Sequence, residues 1–169
     1  MDYVRLGLGY DVESINTRAD PGGGAIALRL KYTDLDEQIP ASSLSDGILS
    51  YLCFVALFRL NAHKSLIAFD EPENHLHPEL LMRVLDFFET MAEERPVLLA
   101  THSDRLLDGL SDPARSVVLC QLDERRATSL VRPDAEALAK WLNDYRGLGD
   151  VRSAGRLGRA SAAETPGPA

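Results

Sequence analysis

Three side chains in this 169-residue sequence have the types and spacing for chemistry on a phosphorylated substrate. Asp70 and Glu71 are adjacent at the end of the apolar run Ser65 to Phe69, and His102 follows the apolar run Val97 to Ala100. Neighbouring side chains on an extended backbone point in different directions, so two adjacent carboxylates can divide their labour. If Asp70 orients Mg²⁺ through its water shell, Glu71 can accept a hydrogen bond from a water aimed in line at a γ-phosphate. A neutral His102 could donate a hydrogen bond to that phosphate or hold the attacking water. Alone, an Asp-Glu pair is more often the solvated end of a strand, and a loop histidine as readily faces solvent. The chemical reading gains weight because both runs end as strands do: the carboxyl ends of neighbouring parallel strands lie side by side where open α/β sheets bind ligands.

A fourth piece stands upstream. Leu44-Ser45-Asp46-Gly47 combines a hydroxyl, a glycine that permits close backbone approach, and a following apolar run whose first amides favour an anion. An ordinary serine helix cap fits the same four residues.

The elements that must position these groups follow from periodicity. Ser45-Asp46-Gly47 precedes a run from Ile48 to Leu60 that is apolar on nearly every side and predicts an enclosed helix. Ser65 to Phe69 predicts a central strand ending in Asp70-Glu71-Pro72. After a loop with Asn74, His75 and His77, Pro78 suits the first position of a helix. Leu81, Val84, Leu85, Phe88 and Met91 recur at helical spacing until Pro96 stops it. Val97 to Ala100 predicts a second strand, followed by a short helix from Asp104 closed near Gly109. Strand, helix, strand points to a parallel βαβ unit. Upstream, Ile26, Leu28, Leu30 and Tyr32 alternate after Pro21-Gly22-Gly23-Gly24, predicting a β-hairpin over Val12 to Tyr32. Downstream, Ser116 to Leu122 and Thr128 to Val131 flank the turn Asp123 to Arg126, a second hairpin expected at one edge of the sheet. A helix from Asp134 to Leu142 follows. Beyond Gly147 the composition turns to Gly, Ala, Ser, Arg and Pro, and an unstructured tail over 147–169 is expected. The expected organisation is therefore a hairpin region over 1–40, a core over 41–146, and that tail.

Composition narrows the setting. A net charge of -8 argues against a surface that neutralises nucleic-acid phosphates by itself, so nucleic acid is expected only through a partner or through segments outside this sequence. Cys53 and Cys120 each sit in an apolar run, read as buried reduced thiols in a cytoplasmic setting. The longest apolar stretch, Ile48 to Phe58, falls short of the roughly 20 residues a membrane span needs. No membrane association is expected.

In order, Ser43-Leu44-Ser45-Asp46-Gly47, then Leu66 to Pro78, then Leu99-Ala100-Thr101-His102-Ser103, resemble the signature, the Walker B with D-loop, and the switch histidine of ABC-type ATPases. The Glu-Pro-Glu-Asn and Leu-His-Pro wording within Glu71 to Pro78 is most similar to the soluble AAA-domain ATP-binding proteins grouped with RecF, SMC and OLD-type ATPases. Tyr145 to Asp150 resembles that group's carboxyl end. The resemblance implies an α/β, P-loop NTPase-like partial domain of the ABC ATPase head type, with parallel core strands, an N-terminal β-hairpin and covering helices. It implies ATP and Mg²⁺ as cofactors, Asp70 as the Mg²⁺ partner, Glu71 as the base that polarises water, and His102 as the γ-phosphate sensor. Ser45 and Gly47 would contact nucleotide in trans, and Asn74 and His77 fall in the D-loop, whose task is communication across a dimer.

One part is missing from the pattern. No Gly-x-x-x-x-Gly-Lys-[Ser/Thr] occurs, and neither Gly7-Leu8-Gly9 nor Gly22 to Gly24 carries the lysine. The expectation is a carboxyl-terminal part of an ATPase, completed as a homodimer with a missing segment or by a P-loop-bearing partner chain. Two other classes stay open: a non-catalytic interaction or regulatory remnant, and a metal-dependent nuclease or hydrolase built on His75, His77, Asp70 and Glu71.

Overall fold

The computed structural model describes residues 1–19, 26–60, 65–122, 125–145, 147–155 and 157. The chain divides into two compact units, Met1–Ala100 and Thr101–Ala169, a division that does not follow the boundaries expected near residues 40 and 146.

In the first unit, helix α1 (Asp2–Leu8) precedes an antiparallel sheet of β1 (Val12–Ala19), β2 (Ile26–Tyr32) and β3 (Ile39–Pro40), in that order. The expected hairpin is present, with Ile15 opposite Leu30 and Thr17 opposite Leu28, and a register shift between Val12 and Ser14. Its Pro21 to Gly24 break lies outside the described residues. The alternation seen in the sequence sends Leu30 fully into the core. No expectation covered α1, whose Gly7, with Gly9 just past its end, argues against a helix. Packing overrides that preference: a Cβ on Gly7 would stand 2.2 Å from the Tyr51 ring. The bare glycine thus lets α1 lie on Tyr51, whose hydroxyl donates to the Tyr3 carbonyl at 2.7 Å.

A single 3₁₀ turn, Ala41–Ser43, leads into α2 (Asp46–Arg59). Only Tyr51 and Val55 of this helix are buried, while Cys53 and Ala56 are exposed, so α2 is covered on one side rather than enclosed. The parallel βαβ unit is β4 (Ile67–Asp70), α3 (Pro78–Ala92) and β5 (Val97–Ala100), with Ile67 opposite Val97 and Asp70 opposite Ala100. The α3 stripe buries Leu81, Val84, Leu85, Phe87, Phe88 and Met91. Each such side chain contributes about 1.5–3 kcal/mol of transfer free energy. All five phenylalanines of the chain converge with Tyr3 and Tyr51 in this core, Phe58 stacking on Phe87 at 4.8 Å between ring centroids. Ile67, Phe69, Val97 and Leu99 join the core from one face of the β4–β5 pair. On the other face Ala68, Asp70, Leu98 and Ala100 are exposed.

The second unit contains α4 (Asp104–Asp108), α5 (Pro113–Ser116), β6 (Leu119–Leu122), β7 (Thr128–Val131), α6 (Ala135–Asp144) and α7 (Leu148–Ser153). The hairpin β6–β7 pairs as expected but forms its own two-stranded sheet instead of extending the parallel one. Part of its turn, Asp123 and Glu124, lies outside the described residues. Leu107, Val117, Leu138, Leu148, Val151 and Leu157 form the core of this unit. Three of these come from beyond Gly147, where an unstructured tail was expected. Enough apolar side chains remain at 148, 151 and 157 to seat α7, which the Gly- and Ser-rich composition obscured.

Both cysteines are exposed and unpaired, contrary to the expected burial. Each stands in an apolar run but on the side facing out: Cys53 on the open side of α2, Cys120 on the exposed register of β6.

Candidate functional site

Chain reversal after β4 is abrupt. Glu71 directly follows the strand and adopts a left-handed conformation, φ 45°. Its amide still donates to the Ala100 carbonyl at 2.7 Å, so the last rung of the parallel ladder falls on the candidate base itself. The Asn74 amide donates to the Glu71 carbonyl at 3.1 Å and closes a turn over Glu71 to Asn74. Its side-chain amide donates to Glu71 Oε2, also at 3.1 Å. A non-glycine residue in this region costs about 1–2 kcal/mol, a strain that persists where surrounding bonds over-determine it. Here those bonds come from β5 on one side and Asn74 on the other.

Asp70 is the last residue of β4, on the exposed face with Ala68. Glu71, left-handed and past the strand end, lies outside that alternation. The donor set is hard oxygen, which suits a hydrated Mg²⁺ held by one carboxylate.

The turn continues into His75, again left-handed at φ 65°, and there it meets the Leu44 to Gly47 loop. A Cβ on Gly47 would lie 2.6 Å from the His75 carbonyl oxygen, so the first turn of α2 and the loop after β4 touch through bare backbone. Asp46 and His75 also face each other at 4.0 Å, but both are largely exposed and such a pair is worth little. Ser45 caps α2, its Oγ accepting from the Ile48 amide at 3.3 Å, with the side chain exposed. His77 caps α3 in the same way: Nδ1 accepts from the Glu79 amide at 3.4 Å.

The first unit thus brings Gly47 and Asp46 against His75 in the loop after β4, contiguity that the linear sequence does not show. It does not assemble the alternative metal cluster: among the described residues no three His, Cys, Asp or Glu side chains are grouped to hold a metal ion.

His102 lies two residues past β5, at the start of the second unit. Its side chain is exposed, and the backbone around it is held from several directions. The Ser103 amide donates to Thr101 Oγ1 at 3.0 Å, and Ser103 Oγ caps α4 by accepting from the Leu106 amide at 3.2 Å. From 50 residues further along, Arg152 Nη1 donates to the His102 carbonyl at 2.6 Å and to Asp104 Oδ1 at 2.6 Å. Ser153 Oγ donates to the second Asp104 oxygen at 2.6 Å. The Ser153 hydroxyl holds the Asp104 carboxyl below its ordinary range and Arg152 adds to this, with burial opposing. Arg152 escaped the sequence reading, because nothing local links residue 152 to residue 102. The only available signal was the Gly147-Leu148-Gly149 spacing. A Cβ on Gly149 would meet the Asp104 carbonyl at 2.4 Å, so that glycine allows α7 to reach α4.

A family model described as "AAA domain, putative AbiEii toxin, Type IV TA system" matches residues 5–108, well over half of the chain. The chain belongs to this AAA-domain family. Among curated relatives it is 30% identical over 114 residues to protein ea59 of Escherichia phage lambda, a match covering 66% of this chain and 21% of that protein. It is 33% identical over 93 residues to an ATP/GTP phosphatase of Helicobacter pylori, covering 52% of this chain and 25% of that one. The chain therefore spans about a quarter or less of the curated relatives it matches.

Solved structures give the fold. One comes from a study of ATP-driven dimerization and DNA-stimulated activation of SMC ATPases: TM-score 0.57 at 15% identity, covering 85% of this AAA-domain chain and 91% of that one. Another is a Pyrococcus furiosus Smc head domain with an extended coiled coil, bound to the C-terminal domain of ScpA. Its TM-score is 0.52 at 16% identity, covering 85% of this chain and 36% of that chain. The fold is α/β, of the P-loop NTPase type found in SMC ATPase heads. No helix among the described residues is long and apolar enough to cross a membrane.

Proposed function

We propose that this chain supplies the water-activating and signature part of a soluble ABC-like ATPase site, and that the phosphate cradle is contributed from outside these 169 residues. The observation that carries the reading is the turn after β4. It holds Glu71 at the carboxyl end of a parallel strand, fixed by Ala100 and Asn74, and the signature loop rests on the same turn at His75.

In this reading Glu71 accepts a hydrogen bond from the attacking water and aligns it with the γ-phosphate of ATP, taking up the proton as the water oxygen bonds to the γ-phosphorus and the bond from that phosphorus to the β–γ bridging oxygen breaks, releasing ADP. Asp70 would hold a hydrated Mg²⁺, which supplies charge neutralisation at the phosphate oxygens when bound. Ser45 and Gly47 present a hydroxyl and a bare backbone to nucleotide held by a facing head, and Asn74 and His77 lie beside that face. His102, two residues past β5, is assigned the role of γ-phosphate sensor. Two heads, or this chain and a P-loop-bearing partner, close over the nucleotide. Exposed, unpaired cysteines are compatible with a reducing cytoplasmic setting.

Supporting the need for completion, the β4–β5 pair leaves Leu98 61% exposed on one side, and Leu66, just before β4, is 56% exposed. Parallel strands are stable with both faces covered, so further structure is expected over this face.

Glu71→Gln tests the reading in the full ATPase or reconstituted complex. ATP should remain bound while turnover falls roughly 10²- to 10⁴-fold, the contribution of a positioned base. Undiminished hydrolysis would remove Glu71 from the role, and a native complex that binds its partner yet hydrolyses nothing would favour a regulatory remnant.

A further inference from the structure

We infer that Arg152 is a positioning residue for His102, acting through the His102 backbone and held in place by Asp104 and Ser153. The inference rests on the reading of His102 as the group that meets the γ-phosphate, and it adds a residue from the far end of the described chain to that site.

An exposed histidine ring can aim at a ligand only if its backbone is fixed, because any swing of the peptide carries the ring with it. Three bonds constrain the peptides around His102. The Ser103 amide is turned back onto Thr101 Oγ1, Ser103 Oγ starts α4, and the His102 carbonyl receives the Arg152 guanidinium at 2.6 Å. The third is charge-assisted and therefore the strongest of these. It is also the one that local sequence cannot supply.

Arg152 itself is constrained. Its Nη1 is shared between the His102 carbonyl and Asp104 Oδ1, and the other Asp104 oxygen accepts from Ser153, the residue next to Arg152 on α7. The helix carrying Arg152 and Ser153 is registered on α4 by a further bond, the Gly149 amide donating to Asp108 Oδ1 at 2.6 Å. Glycines at 147 and 149 make the approach possible, since a Cβ on either would stand under 2.5 Å from Asp108 or Asp104 atoms. An isolated surface ion pair would carry little weight. This one has a carboxylate with both oxygens engaged, a guanidinium with two acceptors, and a backbone anchor beneath them.

Because one nitrogen serves both acceptors, a lysine ammonium can replace it, whereas methionine fills the same length with no donor. Histidine labelled at the carbonyl carbon gives four signals, with His102 assigned from His102→Gln. The expected result is that Arg152→Met moves the His102 carbonyl signal upfield by several linewidths and leaves the other three histidine signals in place, while Arg152→Lys stays near native. Asp104→Asn, which keeps the shape but removes the charge that holds Arg152, should move the same signal in the same direction, and it serves if Arg152→Met is poorly folded. In the ATP-hydrolysing assembly, Arg152→Met should lower kcat roughly tenfold to a hundredfold with KM within about twofold, and Arg152→Lys should recover most of it.

A His102 carbonyl signal unmoved by both Arg152→Met and Asp104→Asn overturns the clamp, whatever the activity. A moved signal with native kcat overturns its connection to hydrolysis. If the native assembly hydrolyses no ATP, the reading of His102 fails, and the carbonyl signal still decides whether Arg152 holds this backbone.

Discussion

Gly47→Ala measures the contact that joins the start of α2 to the turn after β4. The added methyl carbon would sit 2.6 Å from the His75 carbonyl oxygen, at least 0.4 Å inside the 3.0 Å that real Cβ contacts respect. The obstacle is backbone on both sides. His75 is already left-handed at φ 65°, and the Leu76 amide ties the same turn to Glu73 at 3.1 Å, so the loop has little room to retreat. Steric overpacking of this kind costs about 1–3 kcal/mol. Against it stands the intrinsic gain from replacing glycine by alanine in a helix, roughly 0.5–1 kcal/mol and smaller in the first turn. The clash therefore wins, with a net loss of about 1–2 kcal/mol and a fall in Tm of roughly 2–8 °C for a chain of this size.

Thermal and urea unfolding followed by circular dichroism give the number, and a double-mutant cycle gives the cause. His75→Gly makes the left-handed backbone cheap and the turn pliable, so Gly47→Ala should cost at least about 0.5 kcal/mol less in that background than in the native one. A Gly47→Ala protein more stable than native, or strict additivity with His75→Gly, would refute the contact and with it the joined surface on which the proposed site depends.

Other perturbations follow from single interactions. Tyr51→Phe removes the bond to the Tyr3 carbonyl inside the core and should destabilise by about 1–2 kcal/mol; an unchanged urea midpoint would mean that α1 is not anchored there. Burial raises the Tyr51 pKa above 10.0, with Arg83 opposing, so the folded state holds this proton more tightly than the unfolded one. That stabilisation is complete below about pH 10 and is lost as pH rises through the folded value, and Tyr51→Phe should flatten the alkaline limb of a stability profile. Asp104 has the opposite sign. Its folded pKa lies below 3.8, through Ser153 and then Arg152, so its contribution is present above about pH 3.8 and lost as pH falls through the folded value. Asp104→Asn should make the urea midpoint less sensitive to acid as pH falls below about 3.8, and an identical acid slope in the two proteins would contradict the ion pair.

Much of the first unit was readable without coordinates because its physics is local and periodic. Apolar residues at helical spacing, Pro78 at a helix start, Ser45 as a cap and two short apolar runs specify α2, β4, α3 and β5 through preferences that act over a few residues. The order of Leu44 to Gly47, Asp70-Glu71 and His102 likewise stands in the linear chain, and it led to the ABC-type ATPase resemblance. Folding decided the rest, by interactions between residues that no spacing rule connects. Whether a side of α2 is covered depends on what packs against it, so Cys53 ended exposed within an apolar run. A seven-residue helix with a glycine in its last turn forms because Tyr51 receives it. The sparse apolar residues after Gly147 seat a helix because α4 offers them a surface. The contact of Gly47 with His75 and the reach of Arg152 to the His102 backbone depend on backbone approaches of a few ångströms. Sequence names the chemical groups; only the close approach of distant segments determines which of them can be held still.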